Sequence, residues 1–158
     1  MTDTPCNISA RVAEGQRLIF TVEGPLQAEL RDDSGALQWS GGADGPSDPP
    51  QRALAALFRA DESQVEPWLC RMLSHGMVLE LELTNVGGGR WKAALRAEDV
   101  YGKHCFVDAE HDSPFLAVVA CLALWCQDSS FTALQNVSPA EAGLAFERCF
   151  HRSFIDPV

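Results

Sequence analysis

The sequence has few basic residues. It carries 12 lysines and arginines against 22 aspartates and glutamates, which gives the 158 residues a formal net charge of −10. Nucleic-acid affinity depends on Lys and Arg side chains that displace the counterions of the phosphate backbone. This balance therefore predicts no direct nucleic-acid binding. An acidic chain instead favours partners with a basic surface, so we expect a basic protein partner.

Long apolar runs are also absent. The most hydrophobic window, Pro114–Cys126, is much shorter than the roughly 20 residues needed to cross a bilayer. The start of the sequence, MTDTPCNISARVAEG, lacks the basic region followed by an apolar run that marks a signal peptide. With 46% apolar residues, the chain is long enough for one well-buried core. We therefore expect a single domain with a cytoplasmic location and no membrane contact.

Catalytic and cofactor signatures are missing. The sequence contains no P-loop, no dinucleotide-binding glycine motif, no nucleophile elbow, no HExxH motif and no CxxC zinc pair. We therefore assign no catalytic residue, no metal and no cofactor, and expect a protein that is not an enzyme. An enzyme whose site is assembled from dispersed side chains stays open as an alternative. His104 and Cys105 cannot pair with each other in it, because neighbours in a strand point to opposite faces. The candidates for such a site are His75, His104, His111 and Cys105.

The cysteines do not indicate a disulfide framework. In a secreted protein, six cysteines could form three bridges, but no export signal is present and four of them lie on helical apolar faces. Reduced, packed thiols are expected in that setting. The six are Cys6, Cys70, Cys105, Cys121, Cys126 and Cys149.

The most informative feature that is present is an internal repeat. The stretch Ala28–Pro50 aligns with Ala93–Pro114, and the register continues into the two apolar segments that follow. Self-similarity at the spacing of a small supersecondary unit is typical of a duplicated element. The matched pairs are Ala28 with Ala93, Leu30 with Leu95, Arg31 with Arg96, Asp44 with Asp108, Asp48 with Asp112, Pro50 with Pro114, Ala53 with Ala117 and Ala56 with Ala120.

Apolar periodicity predicts the order βββα, α, βββα, α. We therefore predict an α+β fold in which an antiparallel six-stranded sheet forms from a duplicated βββα unit with packed helices. Residues 1–158 are expected to form one domain of two similar halves. Their parts are a first βββα unit at 16–60, a helix plus the second βββα unit at 63–126, and a C-terminal helix at 138–154. In the second half, the strands are predicted at 77–84, 91–95 and 104–107, with helix caps at Ser113 and Ser138.

Residues 63–126 read helix, three antiparallel strands, helix. Marked positions in this span are Trp68, Leu73, Gly76, the Gly87–Trp91 turn and strand, and a helix start at Asp112–Pro114 followed by Ala117 and Ala120. In this pattern the segment resembles the phage and prophage domain called the ABA sandwich. The resemblance implies a phage or prophage origin. That family has no established activity or catalytic residues that could be carried over to this chain.

Acidic residues precede the helix starts of both halves. The element order is also similar to that of double-stranded-RNA-binding domains, which place lysines at this position to grip phosphates. Carboxylates here would repel phosphate instead. The second cluster also lacks the glycine and the terminal glutamate of a calcium-binding loop. We interpret these loops as the surface that binds a basic partner, formed by Asp44, Asp48, Asp108, Glu110 and Asp112.

These observations lead to one hypothesis and two alternatives. The hypothesis is a small acidic, non-enzymatic interaction protein of phage or prophage origin. It would act as an anti-defence inhibitor, or modulate a host nucleic-acid-handling complex, by binding a basic surface through charge complementarity. The first alternative is the enzyme with a dispersed site. The second is a structural or assembly protein that forms a homodimer through exposed sheet edges or the last helix.

Overall fold

Six β-strands and four α-helices lie in the part of the chain that the computed structural model describes. It describes residues 12–22, 26–42, 49–60, 62–75, 78–98, 101–127 and 138–150, without the side chains at 42, 49, 51, 62 and 70–75. The first half contains β1 (Arg17–Thr21), β2 (Gln27–Arg31), β3 (Leu37–Gly42), α1 (Pro49–Phe58) and α2 (Glu62–His75). The second contains β4 (Val78–Gly87), β5 (Arg90–Glu98), β6 (His104–His111), α3 (Pro114–Cys126) and α4 (Pro139–Phe150).

The strands form one sheet in the order β3-β2-β1-β4-β5-β6, and every neighbouring pair is antiparallel. β1 and β4 lie side by side at the centre, and each half extends outward from them. The predicted α+β fold with an antiparallel six-stranded sheet and packed helices is therefore confirmed.

Strand register relates the two halves residue by residue. Leu18 in β1 and Leu81 in β4 each lie opposite a leucine on the next strand outward. Phe20 in β1 and Leu83 in β4 each lie opposite an alanine on the same outward strand. These leucines and alanines are matched residues of the aligned repeat. Leu18 is thus equivalent to Leu81, and Phe20 to Leu83. The four pairs are Leu18–Leu30 with Leu81–Leu95, and Phe20–Ala28 with Leu83–Ala93.

The pairing of β1 with β4 at the centre of the sheet is consistent with this equivalence of residues between the halves. Leu18 lies opposite Leu83 and Phe20 lies opposite Leu81, so exchanging the two halves maps this pairing onto itself. The sheet therefore has an approximate two-fold axis between β1 and β4. Such symmetry is what a duplication would produce, and the common origin of the halves stays a prediction.

The third strands depart from the alignment of the repeat. Trp39 in β3 faces Leu30, and Val107 in β6 faces Leu95, so Trp39 and Val107 are equivalent. The position equivalent to Asp108 is then Ser40, whereas the sequence alignment places Asp44 there. The difference arises because the connection from β5 to β6 is longer than that from β2 to β3.

The last strand of the second half is longer than predicted. The sequence pattern predicted that it ends at Val107 and that the acidic residues beyond form a loop, but β6 continues to His111. Burial alternates along its whole length. The prediction was wrong because Asp108 and Glu110 lie on the solvent side, where carboxylates do not interrupt a strand of an open sheet.

The helices cover one face of the sheet. α1 contacts β2 and β3, α3 contacts β5 and β6 in the equivalent way, and α2 packs against α4. Among the described residues, every helix falls short of the length and apolar character that a membrane span requires. The sheet side chains beneath the helices are fully buried, and these are Leu18, Phe20, Ala28, Leu30, Leu81, Leu83, Ala93, Leu95 and Ala97.

Two predicted helix starts are confirmed. The Ser113 hydroxyl accepts a hydrogen bond from the backbone N–H of Leu116, and Pro114 follows in the first helical turn. Ser138 and Glu141 form a reciprocal capping box at α4. These caps satisfy backbone N–H groups that have no partner within the helix.

Candidate functional site

The face of the sheet opposite the helices, which we call the open face, carries mostly charged side chains. Each of three arginines on this face is already paired with a carboxylate of a neighbouring position. The arginines therefore leave little positive charge for a further ligand. The pairs are Arg17 Nη1 with Glu82 Oε2 at 3.0 Å, Arg31 Nε with Glu29 Oε1 at 3.0 Å, and Arg96 Nε with Glu80 Oε1 at 3.7 Å.

A large apolar side chain lies on the open face of β6, the outer strand of the second half. Phe106 in β6 is 73% exposed, and it lies opposite Arg96 of β5. Strand alternation places it on the same side as Asp108 and away from Val107. An exposed aromatic ring beside carboxylates offers both an apolar surface and a face for a cation.

The structure brings three of the predicted partner-binding residues together. Asp108 and Glu110 point out from the open face of β6, and Asp112 follows the strand, so the three line one end of the outer edge. All three are exposed. Asp44 and Asp48, the predicted counterparts in the first half, lie outside the described residues.

Arg90 partly neutralises this group. Its Nη1 lies 2.9 Å from Asp112 Oδ1, and its Nη2 lies 3.9 Å from Glu110 Oε1. Exposed pairs of this kind contribute little stability. In the part of the chain that the structure describes, no cation lies within ion-pair distance of Asp108. The negative charge of the group is therefore centred on Asp108, next to Phe106.

A buried thiol lies beneath the same strand. Cys121 Sγ of α3 lies 3.4 Å from the carbonyl oxygen of Val107. Burial, and secondarily the negative charge of Asp108, raises the pKa of Cys121 to about 12. The thiol is therefore neutral at physiological pH and unsuited to nucleophilic chemistry. Among the described cysteine side chains, Cys105 and Cys121 are free thiols.

His104, Cys105 and His111, the described side chains of the dispersed-site alternative, do not meet. His104 points to the open face and contacts Glu98 at 3.4 Å, whereas Cys105 points toward the helices and donates to the carbonyl oxygen of Lys103. His111 lies at the far end of β6, roughly 23 Å along the strand from His104. Its Nδ1 accepts a hydrogen bond from the backbone N–H of Asp112. The side chain of His75 lies outside the described residues.

A cleft of about 490 Å³ lies at the end of the open face near the β4–β5 turn. Arg17 and Lys92 contribute positive charge to it, and Glu14, Asp33 and Glu82 contribute negative charge. This mixed lining favours neither an anion nor a cation. Within the described residues, no group of three His, Cys, Asp or Glu side chains could hold a metal ion.

Sequence reasoning missed two parts of this surface. Phe106 and Arg90 were not singled out, although the alternation of residues 104–111 would have placed Phe106 on the polar side of an extended strand. Arg90 follows the Gly88-Gly89 turn at the start of β5, and the pairing of β5 with β6 brings it beside the end of β6. Its role depends on strand pairing, which local sequence does not specify.

Comparison of the chain with protein-family models, with curated proteins and with solved structures found no match.

Proposed function

We propose that this chain is a non-enzymatic binding protein that engages a basic surface of a partner protein through the outer part of its open face. The observation that supports this proposal most is the arrangement on β6. There the exposed ring of Phe106 adjoins the carboxylate of Asp108, which has no ion-pair partner among the described residues, and Glu110 lies further along. Aromatic side chains, including phenylalanine, are enriched at protein interfaces relative to the rest of the surface.

Charge supports a basic partner over an acidic one. The net charge of −10 steers basic surfaces toward the chain, and the arginines of the open face are already paired. A nucleic acid would be repelled by the carboxylates of β6. If the chain is of phage or prophage origin, its role would be to inhibit or modulate a host nucleic-acid-handling or defence complex by covering such a surface.

Capture from the native host tests this function. The wild-type chain is compared with Asp108→Lys/Glu110→Lys and with a matched control, Asp33→Lys/Glu66→Lys, which reverses two exposed carboxylates away from β6. We expect a basic protein to be retained by the wild type and the control, lost with the β6 variant, and weakened by high salt. Each captured protein is then purified and its binding measured directly. Identical captures by all three chains would contradict the proposal.

The two alternatives, an enzyme with a dispersed site and a homodimeric assembly protein, have less support than the binding protein. The described side chains assemble no catalytic constellation from His104, Cys105 and His111, so the enzyme stays a hypothesis without a site. Homodimer formation through β6 remains testable, and it would bring the carboxylates of two copies onto one face.

A further inference from the structure

β6 is an edge strand with regular geometry. It is the outermost strand of its half, and among the described residues no strand pairs with its outer edge. It pairs with β5 from His104 to His111 without a register shift. The opposite edge strand, β3, differs because its pairing is interrupted next to Arg31 and it ends in Gly41-Gly42.

Three devices that often block edge pairing are missing from β6. Natural edge strands are often protected by a bulge, by a proline or by charged side chains, especially lysine. The charged side chains of β6 are the carboxylates of Asp108 and Glu110, which repel an acidic strand but not a basic one. The sequence of β6, HCFVDAEH, contains neither proline nor lysine, and its ladder has no bulge. Its outer backbone N–H and C=O groups therefore offer a template for another strand.

The two sides of β6 specify different neighbours. On the open face lie Phe106, Asp108 and Glu110, while Val107 and Ala109 point toward the helices and are half-buried. In an added strand, residues beside the open face would meet an aromatic ring and carboxylates. The alternate residues would meet small aliphatic side chains at the margin of the core.

We propose that β6 accepts an extended segment of a basic partner as a seventh strand, with Lys or Arg alternating with small aliphatic residues. This inference rests on the proposed function and specifies how the partner binds. Main-chain hydrogen bonds to the edge would give affinity, and the alternate side chains would give specificity. The cations would lie beside Asp108 and Glu110, with their aliphatic stems against Phe106.

Charge selects this occupant over a second copy of the chain. Self-pairing through β6 would bring two sets of Asp108 and Glu110 onto the same face, and like charges on adjacent strands are destabilising. A basic strand relieves that repulsion and supplies the cation that Asp108 lacks among the described residues.

Peptide binding tests the proposal. The probes are a short capped peptide in which lysine and valine alternate, the same peptide with the edge-facing amide nitrogens methylated, and a scrambled peptide with the lysines in one block. Fluorescence anisotropy measures their dissociation constants. We expect the alternating peptide to bind at least about tenfold more tightly than either of the others. Hydrogen exchange should slow in β6 and remain unchanged in β3.

Variants locate the binding. Asp108→Lys/Glu110→Lys should weaken the alternating peptide by about tenfold or more, whereas Asp33→Lys/Glu66→Lys should leave its affinity nearly unchanged. Circular dichroism is used to check that both variants are folded. If the β6 variant does not fold, Phe106→Ala takes its place, with the same loss expected.

Three results would overturn strand addition. Equal affinity for all three peptides would mean that charge alone attracts them, which leaves the proposed function intact. No binding by any peptide, while the captured basic protein still binds, would also reject strand addition alone. A stable dimer with β6 protected in the absence of peptide would show that a second copy occupies the edge.

Discussion

Ile19 of β1 lies directly opposite Glu82 of β4, and this pair lies on the approximate two-fold axis that relates the halves of the sheet. The pairs on either side of it, Leu18 with Leu83 and Phe20 with Leu81, are exchanged by that axis. The axis sets the positions of the two outer strands as well. Because the axis exchanges β3 with β6, these two strands form the two edges of the sheet.

The aromatic cluster between α3 and α4 should dominate core stability. Phe146 is fully buried and lies 5.9 Å from Trp125 and 5.7 Å from Phe150, measured between ring centroids. Phe146→Ala should lower the free energy of unfolding by about 3–5 kcal/mol, because it leaves a cavity among these rings. Leu144→Ala on the exposed side of α4 is the control, with a change below about 0.5 kcal/mol. Equal effects in urea denaturation would contradict the assigned packing.

The β2–β3 turn should depend on pH through Asp32. Its carboxylate accepts hydrogen bonds from the Ser34 hydroxyl at 2.6 Å and from the backbone N–H of Ala36 at 2.9 Å, and these bonds lower the pKa of Asp32. The hydrogen bonds therefore stabilise the turn at pH values above 3.8, the ordinary pKa of an aspartate. That contribution is lost as the pH falls through the lowered pKa of the folded state. In an NMR titration, Ser34→Ala should raise the pKa of Asp32. An unchanged pKa in this variant would rule out the hydroxyl as the main cause.

Cys121 should resist alkylation. Because burial raises its pKa to about 12, almost no thiolate exists at neutral or mildly alkaline pH. With iodoacetamide and mass spectrometry, half-buried Cys105 should be modified before Cys121, and denaturant should abolish the difference. Cys105→Ser should leave the slow labelling of Cys121 unchanged. Rapid labelling of Cys121 in the folded chain would contradict its placement beneath β6.

Removing Arg90 should strengthen binding of a basic partner. Arg90 contacts Asp112 and Glu110 and so competes with the cations of the partner. Arg90→Gln should tighten binding by about threefold while lowering the free energy of unfolding by less than about 1 kcal/mol. Arg148→Gln, at an exposed position on α4, removes the same charge away from β6 and should have a smaller effect. Weaker binding by Arg90→Gln would mean that this arginine itself contacts the partner.

Sequence patterns were sufficient for the architecture and only partly sufficient for the surface. Alternation at Leu81 and Leu83, and the caps at Ser113 and Ser138, depend on neighbours within a few residues, so they were predictable. The position of Phe106 beside Asp108 depends on β6, whose acidic residues led to the prediction of a loop where the structure has a strand. The pairing of Arg90 with Asp112 requires the register of β5 with β6, which is a tertiary property.

Hydrogen exchange on the complex with the purified basic partner tests the central claim most directly. The account predicts that amide exchange slows in β6 and that Asp108→Lys/Glu110→Lys abolishes this protection along with binding. Exchange in β1, β2 and β3 should be unchanged. Protection confined to the helices, or to the cleft lined by Arg17 and Lys92, with β6 exchanging as in the free chain, would contradict it.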